Sequence, residues 1–359
     1  MTAPASTEAR SQLVSLSQAE IGEIAAFIAA QSGRERESVE THLRWFLLEN
    51  PARQPEEPLG FGLRSADQLV GCILLSPQLF RLEAREILFM GSSSFYVDRR
   101  HRGQGGRIFL QYCRLARQHP LFGTSANAEA AALWKAAGAR PIPYSDCEFL
   151  GVLHWPAVAE EFAHRRYANK TVSRLAGSAV ANIAGLMRAL KIDGDAVNDL
   201  QPLSSADEAS ELCAHKPSSK LTARRDASYL HWRYFSGHDP TAAVFAFRSS
   251  KPDQDVLVAV NRRQRGYRNQ ISVLNVLDIY PEVSAEEWLR IIGALILRYR
   301  KVIDAVVLRN LDSELQEAFA AKGFQRRVFE APIGWYLDKS SPLRDCEWYP
   351  VPADGDSLI

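Results

Sequence analysis

The chain has few of the features that mark secreted, membrane-bound or metal-dependent proteins. Its 359 residues include five cysteines, at positions 72, 113, 147, 213 and 346, and no two of them have the spacing of a metal or redox motif. Apolar runs are too short for a transmembrane helix, and the first residues lack the charged and apolar regions of a signal peptide. We therefore expect a cytoplasmic protein with reduced cysteines, no metal and no membrane insertion.

The chain also lacks an excess of charge of either sign. Lys and Arg number 43 against 42 Asp and Glu, so the formal net charge is +1. Proteins that bind nucleic acid without strong sequence preference carry a large positive excess, and this chain does not. The charge balance therefore argues against a nucleic-acid partner and against broad attraction to a membrane surface. The length and the apolar content of 46% favour two domains, each with its own core.

The most informative segment covers residues 97–107, with the sequence Val-Asp-Arg-Arg-His-Arg-Gly-Gln-Gly-Gly-Arg. An apolar run over 87–97 predicts a strand before it, and residues 108–115 predict an amphipathic helix after it. Glycines let backbone amides converge, and the start of a helix adds the positive end of its dipole. The pattern predicts a site for a phosphate-bearing ligand. A plain arginine- and glycine-rich surface loop is the alternative.

The glycine spacing excludes two other phosphate-binding turns. A dinucleotide fold needs G-x-G-x-x-G, and no third glycine stands at that offset from Gly103 and Gly105. A P-loop needs a lysine and then Ser or Thr, whereas Gly106 is followed by Arg107 and Ile108. The turn instead resembles the R-G-x-G turn of the GCN5-related N-acetyltransferase (GNAT) superfamily. In that superfamily the turn holds the pyrophosphate of coenzyme A.

A second segment, residues 127–138, strengthens the resemblance. Its pattern N-x-x-A-x-x-L-W-x-x-x-G is similar to a later helix of the superfamily, and it follows a predicted strand over 121–125. A capped alanine-rich helix, with Asn127 at its start and Gly138 at its end, is the alternative explanation. The resemblance covers residues 10–153. It implies an α/β fold in which a mixed, mostly antiparallel sheet is flanked by helices.

The resemblance also implies an acyl-CoA co-substrate, acetyl-CoA or another, and no metal. The residues that it places at the coenzyme are Tyr96, Val97, Arg102, Gly103, Gln104, Gly105, Gly106, Arg107, Asn127 and Trp134. Two of them depart from the pattern of the superfamily. Arg107 stands where Gly or Ala is usual, and Trp134 stands where a tyrosine often protonates the departing thiolate. An indole N–H is not acidic enough for that role.

The catalytic base is a further departure from the superfamily pattern. The segment 91–94 carries no acid, although the superfamily often keeps a glutamate there. Ser93 is a candidate for ordering a water that relays the proton. Asp146, directly before the predicted strand 147–153, and Glu148 within it are candidate bases, because alternation along an extended chain places both on one face. Exposure of both carboxylates to solvent at a sheet edge is the alternative.

The order of predicted elements repeats after residue 196, which indicates two tandem GNAT-like copies. We expect an amino-terminal domain over 1–155 with the coenzyme motif, a helical connector over 156–195 and a degenerate second copy over 196–359. Residues 278–282, Asp-Ile-Tyr-Pro-Glu, stand where the phosphate turn would be. They have no glycine pair and the wrong charge, so the second copy is not expected to hold coenzyme A.

Two segments of the second half are candidates for binding the acceptor. Asp226, Tyr229 and Arg233 are spaced i, i+3 and i+7, so a helix would bring them to one face. Their segment resembles one in tandem acyltransferase-like proteins of polysaccharide gene clusters; core aromatics with a local ion pair are the alternative. The other segment is the basic stretch 261–268, either a solvated turn or a site for an anionic acceptor.

The resemblance implies an N-acyltransferase that transfers an acyl group from acyl-CoA to the amine of a small molecule or sugar precursor. Two alternatives stay open. The chain is a non-catalytic acyl-CoA-binding or scaffold protein, as Trp134 and the missing glutamate suggest, or it takes its acyl group from acyl carrier protein. The acyl length, the acceptor and the oligomeric state are open at this point.

Overall fold

The chain forms two compact units. This computed structural model describes residues 11–154, 156, 158, 194–214, 219–249, 255–266, 269–330, 332–339, 343 and 346–352. Unit 1 comprises residues 1–81, 85–141 and 334–346, and unit 2 comprises 82–84, 142–333 and 347–359. Elements are numbered in chain order over the described residues.

Unit 1 is a twisted mixed sheet with helices. Its helices are α1 (Ile21–Ser32), α2 (Arg36–Leu43), α3 (Gly105–Cys113) and α4 (Ala128–Ala136). Its strands are β1 (Gln12–Leu16), β2 (Gly60–Ser65), β3 (Gln68–Leu82), β4 (Arg85–Val97), β5 (Leu121–Ala126), β6 (Arg140–Pro141) and β15 (Ile333–Leu337). The strand order is β1-β2-β3-β4-β5-β15-β6. β4 and β5 are parallel and are connected through α3.

The position of α3 depends on a close approach to the sheet. A Cβ at Gly71 of β3 would lie 2.7 Å from Cδ1 of Ile108, so the helix fits against the strand only because Gly71 has no side chain. The apolar face of α3 is buried and includes Ile108, Phe109 and Tyr112. Burial of this face fixes the start of α3 at the end of β4.

Unit 2 repeats the arrangement with a second sheet. Its helices are α5 (Ala206–Cys213), α6 (Ala227–Leu230), α7 (Ala285–Tyr299) and α8 (Ser313–Ala321). Its strands are β7 (Cys147–Val152), β8 (Leu200–Pro202), β9 (Thr222–Ala223), β10 (Ala243–Phe247), β11 (Val256–Arg265), β12 (Ile271–Tyr280), β13 (Ala305–Arg309) and β14 (Gln325–Val328). The strand order is β14-β7-β13-β12-β11-β10-β8.

The two faces of the second sheet differ. One face packs under α7 and α8 in a core that includes Cys147, Phe149, Trp288 and Phe319. The opposite face carries a smaller cluster around Leu150, with Val273 and Ala305 among its members. Because strand side chains alternate, Glu148 shares the face of Leu150 and not that of Phe149.

The prediction of two tandem copies with mixed, mostly antiparallel sheets is confirmed. In unit 1 the order β4-α3-β5 ends in a parallel pair, and in unit 2 the order β12-α7-β13 does the same. Most other pairs in the described register are antiparallel; β10, β11 and β12 form an antiparallel meander. The predicted connector 156–195 lies almost entirely outside the described residues, so the domain boundaries around it stay predictions.

One strand lies in a different sheet from the one we expected. The strand that starts at Cys147 was expected in the sheet of the first half, but β7 pairs with β13 and β14 in unit 2. The place between β5 and β6 of unit 1 is taken by β15, which the sequence analysis does not identify. Burial explains the exchange: Phe149 of β7 is 1% exposed and completes the core under α7 and α8.

Three expectations about composition can be compared with the structure. All five cysteines are free, and four of them are buried. Among the described residues, no group of three or more His, Cys, Asp or Glu side chains is placed to hold a metal ion. No helix in the described part of the chain is long and apolar enough to span a membrane.

Candidate functional site

The predicted phosphate turn directly follows β4, but its backbone differs from the expectation. Residues Arg99–Gln104 form a 3-10 helix, and the Asp98 carboxylate caps it by accepting the Arg100 amide at 2.9 Å. This hydrogen bond from Arg100 lowers the pKa of Asp98. The Gly105 amide donates to the Arg102 carbonyl, so α3 continues an existing helical turn. The helical end therefore lies at Asp98, before the glycines.

The glycines of the turn are in two different environments. A Cβ at Gly103 or at Gly106 would meet no atom within 4 Å, so packing does not require a glycine at either position and the surface beside each is unobstructed. Gly105 is buried, and a Cβ there would lie 3.4 Å from Val97 and 3.6 Å from Phe95. Gly103 and Gly106 therefore leave surface for a ligand, whereas Gly105 serves the packing of α3 on β4.

The charged side chains of the turn point in two directions. Arg102 is exposed, and its guanidinium lies 3.6 Å from the Glu129 carboxylate at the start of α4. The Arg107 guanidinium donates to Gln104 Oε1 at 2.7 Å and to the Ser11 carbonyl at 3.2 Å. Ser11 Oγ also donates to Gln104 Oε1, at 2.5 Å. Arg107, the bulky residue at this position, is thus held against Gln104 and the residue before β1.

Beside the turn, the parallel strands β4 and β5 are paired over a short stretch only. Their described register contains two pairs, Met90 with Leu121 and Gly91 with Phe122. The hydroxyl of Tyr112 lies at this point, 2.7 Å from the Met90 carbonyl and 3.1 Å from the Phe122 carbonyl. Burial raises the pKa of Tyr112 well above its ordinary value, so the phenol stays protonated and donates. The sequence analysis did not identify Tyr112, because its spacing marks it only as an apolar-face residue of α3.

Trp134 fills the core beside the short pairing of β4 and β5. It is 2% exposed, and its ring lies 5.3 Å from Phe109 and 5.7 Å from Tyr112, edge to face with both. A Cβ at Gly123 of β5 would lie 3.1 Å from the indole. Asn127 caps α4 by accepting the Ala130 amide at 2.8 Å. Both residues have clear structural roles, and their contact with a coenzyme stays a prediction.

The serine segment of β4 contains a backbone irregularity. Ser94 has a φ of 50°, in the left-handed region that non-glycine residues rarely adopt. Ser93 is buried, and its Oγ lies 3.4 Å from that of Ser94. A left-handed residue in a strand turns neighbouring amides away from the ladder. Tyr96 and Val97 follow this irregularity, half-buried, at the end of β4.

The two candidate carboxylates have different environments. Asp146 is exposed and lies just before β7. Glu148 is 1% exposed and belongs to the sheet of unit 2, where it pairs with Arg265, Arg309 and Arg327. Burial raises the pKa of Glu148, but the three arginines outweigh it and hold the pKa below its ordinary value. These ion pairs favour a structural role for Glu148, and the base role expected for Glu148, like that for Asp146, stays a prediction.

The predicted acceptor face is interrupted by a change of helix type. Asp226 caps α6 by accepting the Tyr229 amide at 2.9 Å, and it also pairs with Arg224. A π-helix over His231–Phe235 follows α6, which breaks the 3.6-residue period used to predict one shared face. Tyr229 and Arg233 are both buried. This arrangement favours the structural alternative, and an acceptor role for the three residues stays a prediction.

The main ion pair of this segment was not among the sequence predictions and joins Arg225 to Asp278. Arg225 Nε donates to Asp278 Oδ2 at 2.7 Å and Nη2 to Oδ1 at 3.0 Å, and both side chains are at most 1% exposed. The Arg225 guanidinium also lies 4.5 Å from the Tyr280 ring. The two partners are 53 residues apart, so no local pattern connects them.

Comparison with known proteins bears on the fold. No protein-family model matches the chain, and no curated protein does. Among solved structures, a GCN5-related N-acetyltransferase from Anabaena variabilis has a TM-score of 0.58 at 12% identity, over 91% of this chain and 72% of that one. One from Kribbella flavida has a TM-score of 0.54 at 11% identity, over 93% and 72%.

The third similar structure is N-myristoyltransferase of Saccharomyces cerevisiae with bound myristoyl-CoA. Its TM-score is 0.57 at 10% identity, over 95% of this chain and 81% of that one. At these identities the similarity bears on the fold. The chain shares the fold of these solved structures, which is the fold that the two motifs of the first half predict.

Proposed function

We propose that the chain is an acyl-CoA-dependent N-acyltransferase that acts on the amine of a small molecule or sugar precursor. The observation that carries the proposal is the turn after β4. There the open backbone at Gly103 and Gly106 lies among the exposed side chains of Arg99, Arg100 and Arg102. Guanidinium groups are strong partners for phosphate oxygens, and the unobstructed surface at the two glycines leaves room for a diphosphate beside them.

The residues present suit an acyl-CoA donor. Gly103, Gly106 and Arg102 would contact the diphosphate. The backbone of β4 beyond Gly91 has no β5 partner in the described register, so it is available to an extended ligand. The coenzyme supplies the activated thioester. The five free cysteines agree with a reducing compartment, and we expect the cytoplasm.

The chain's own residues would then act on the carbonyl and on protons. The acceptor amine must be neutral to attack; the new C–N bond would form, the C–S bond would break to release the coenzyme thiolate, and the proton lost by the nitrogen would return to that thiolate through water. The backbone at Ser94 departs from the ladder and would present an amide to the carbonyl oxygen. The hydroxyls of Ser93 and Ser94 would order the water that takes the proton.

A second candidate function is acyl-CoA binding without catalysis. Trp134 is buried among Phe109 and Tyr112, and the Tyr112 phenol is bonded to two backbone carbonyls. Neither side chain is therefore free to protonate a thiolate. In that case the chain would bind the donor without turning it over.

A thiol-release assay separates these candidates. Donors from acetyl-CoA to myristoyl-CoA, and acetyl-acyl carrier protein, are each incubated with a panel of amines that includes amino sugars. The proposal expects amine-dependent thiol release from an acyl-CoA. Calorimetric binding without release for any amine would favour the binding protein, and release only from acyl carrier protein would identify a different donor. If neither binding nor thiol release is observed with any donor, all three candidates are contradicted.

A further inference from the structure

Unit 2 contains a cavity that the proposed acyl transfer does not use. It has a volume of about 320 Å³ and lies on the sheet face opposite α7 and α8. Among the described residues, its charged lining is formed by Glu148 with Arg265, Arg309 and Arg327. Its apolar lining includes Leu150, Ile271, Val273 and Phe329. The cavity therefore has a basic side and an apolar side. Its volume is at the lower end of the range for small-molecule sites.

The basic side has more positive than negative charge. Glu148 Oε2 accepts from Arg309 Nε at 3.1 Å and Nη2 at 2.9 Å, and from Arg265 Nη1 at 3.3 Å. Its Oε1 accepts from Arg327 Nη1 at 3.0 Å. One carboxylate thus faces three guanidinium groups, and among the described residues no second carboxylate lies within ion-pair distance of them. Counted over the described residues, the cluster therefore has a surplus of two positive charges.

This surplus is unfavourable without a counter-charge. Burial lowers the pKa of Arg265, and the nearby Arg309 and Arg327 lower it further. A guanidinium nevertheless stays charged in proteins. The three arginine side chains are 21–37% exposed, so the positive groups are partly desolvated yet can be reached from the cavity. An anion that enters would reduce their mutual repulsion.

A buried polar network holds one of the arginines in place. Arg265 Nη2 donates to Asn275 Oδ1 at 3.1 Å, and Asn275 Nδ2 donates to Asn261 Oδ1 at 2.9 Å. Asn261 Nδ2 donates to Asp239 Oδ2 at 2.9 Å. Asp239 is itself paired with Arg263 at 2.9 Å, so its charge does not neutralise the cluster. The two asparagines are cross-strand partners and 1% exposed, which orients Arg265 before any ligand arrives.

We propose that this cavity binds a small organic anion. Its carboxylate or phosphate would accept hydrogen bonds from Arg265, Arg309 and Arg327, because the fork of a guanidinium matches either group. Its apolar part would lie against Leu150, Val273 and Phe329. The site is independent of the proposed acyl transfer. It also gives a role to part of the basic stretch 261–268, whose residues 267 and 268 lie outside the described residues.

Four probes with one aromatic ring test the ligand class on the full chain. Phenyl phosphate and phenylacetate carry the two anions, and benzylamine and benzyl alcohol are the controls. In calorimetry at about 0.15 M salt we expect an anionic probe to bind and the controls not to. The tighter of the two anions then identifies phosphate or carboxylate as the preferred group. Absence of binding by both anions overturns the proposal.

Two matched variants test the location. Arg327→Gln removes one guanidinium and should weaken the anionic probe at least about tenfold, because charge-assisted bonds are the strong ones. Arg326→Gln changes the same charge on the adjacent exposed residue of β14, which faces the other side of the strand, and should leave affinity unchanged. Equal affinities for the two variants contradict the proposal.

A third variant separates a binding site from a structural ion cluster. Glu148→Gln removes the one negative charge and should increase affinity for the anionic probe. The probe should also raise the unfolding temperature of this variant more than that of the wild-type chain, because a ligand that binds only the folded state stabilises it. A destabilised Glu148→Gln that the probe does not rescue indicates a purely structural cluster. If this variant does not fold, the Arg327 and Arg326 pair decides alone.

Discussion

The two units share an order of elements and differ in where their arginines lie. In unit 1 the turn after β4 exposes Arg99, Arg100 and Arg102 around open glycines. In unit 2 the segment after β12 begins with Pro281 and Glu282 and leads to α7, which Ser284 caps. The arginines of unit 2 instead surround Glu148 on the sheet. One scaffold therefore places its arginine clusters at a helical turn in one copy and in a cavity in the other, so the fold alone does not determine the site.

A second comparison supports the relation between the units. In unit 1, α2 is followed by a π-helix over Arg44–Leu48, and in unit 2, α6 is followed by one over His231–Phe235. Both transitions carry the pattern Leu-x-Trp, and Trp45 and Trp232 are 4% and 6% exposed. Because π-helices are rare, the recurrence of one with a buried tryptophan in each unit supports the relation between the two units as repeats. The difference between the units is therefore in charged side chains on a shared framework.

The largest expected effect concerns a feature identified in unit 2, its buried ion pair. Arg225→Ala leaves Asp278 charged and buried, which should cost about 3–5 kcal/mol of unfolding free energy. Arg224→Ala is the matched control; its partly exposed pair with Asp226 should contribute less than about 1 kcal/mol. Urea unfolding of both variants measures the difference. Similar losses for the two would show that the buried pair does not hold this segment.

The next effect tests the arginine cluster. Glu148→Gln should lower the unfolding free energy by about 2 kcal/mol, below the range for a fully buried pair because its arginines are partly exposed. Asp146→Asn changes the exposed carboxylate two residues earlier and should change it by less than about 0.5 kcal/mol. Denaturant midpoints provide the measurement. A larger effect at Asp146 would reverse our interpretation of the two carboxylates.

The same cluster predicts a pH dependence. The pKa of Glu148 is lowered in the folded chain, so its contribution to stability is complete above the ordinary glutamate pKa of about 4.3 and is lost as the pH falls through the folded value. The stability difference between the wild-type chain and Glu148→Gln should therefore be constant near neutral pH and shrink in acid. Urea midpoints from about pH 7 to pH 3 measure it. A difference that grows in acid contradicts the assigned charge.

The smallest effect concerns the strand of unit 1. Ser94→Gly relieves a left-handed backbone and should change the unfolding free energy by less than about 1 kcal/mol, in the stabilising direction. Ser92→Gly, two residues earlier in β4, should lower the unfolding free energy by about 1 kcal/mol, because the backbone there is not left-handed and glycine relieves no strain. Thermal unfolding of the pair tests this. Destabilisation by Ser94→Gly equal to that by Ser92→Gly would remove the argument for strain.

Local patterns predicted the elements well, and pairing between distant residues could not be predicted. Asn127 was expected to cap a helix and does, because a cap depends on neighbouring residues alone. The exchange of β7 and β15 depends on partners elsewhere in the chain, such as β14 for β7. Glu148 and Arg327 are 179 residues apart, so alternation along a strand indicated the face of Glu148 but not its three charge partners.

Calorimetric titration of acetyl-CoA tests the central claim, that the turn after β4 binds the donor's diphosphate. The wild-type chain is compared with Gly106→Asp and with Leu110→Asp, which adds the same charge one turn later at a residue that is 62% exposed. A Cβ at Gly106 meets no atom within 4 Å, so the first variant should fold normally. We predict donor binding that Gly106→Asp weakens at least about 100-fold and Leu110→Asp leaves nearly unchanged. Equal affinity in all three chains, or no binding by the wild type, would contradict the account.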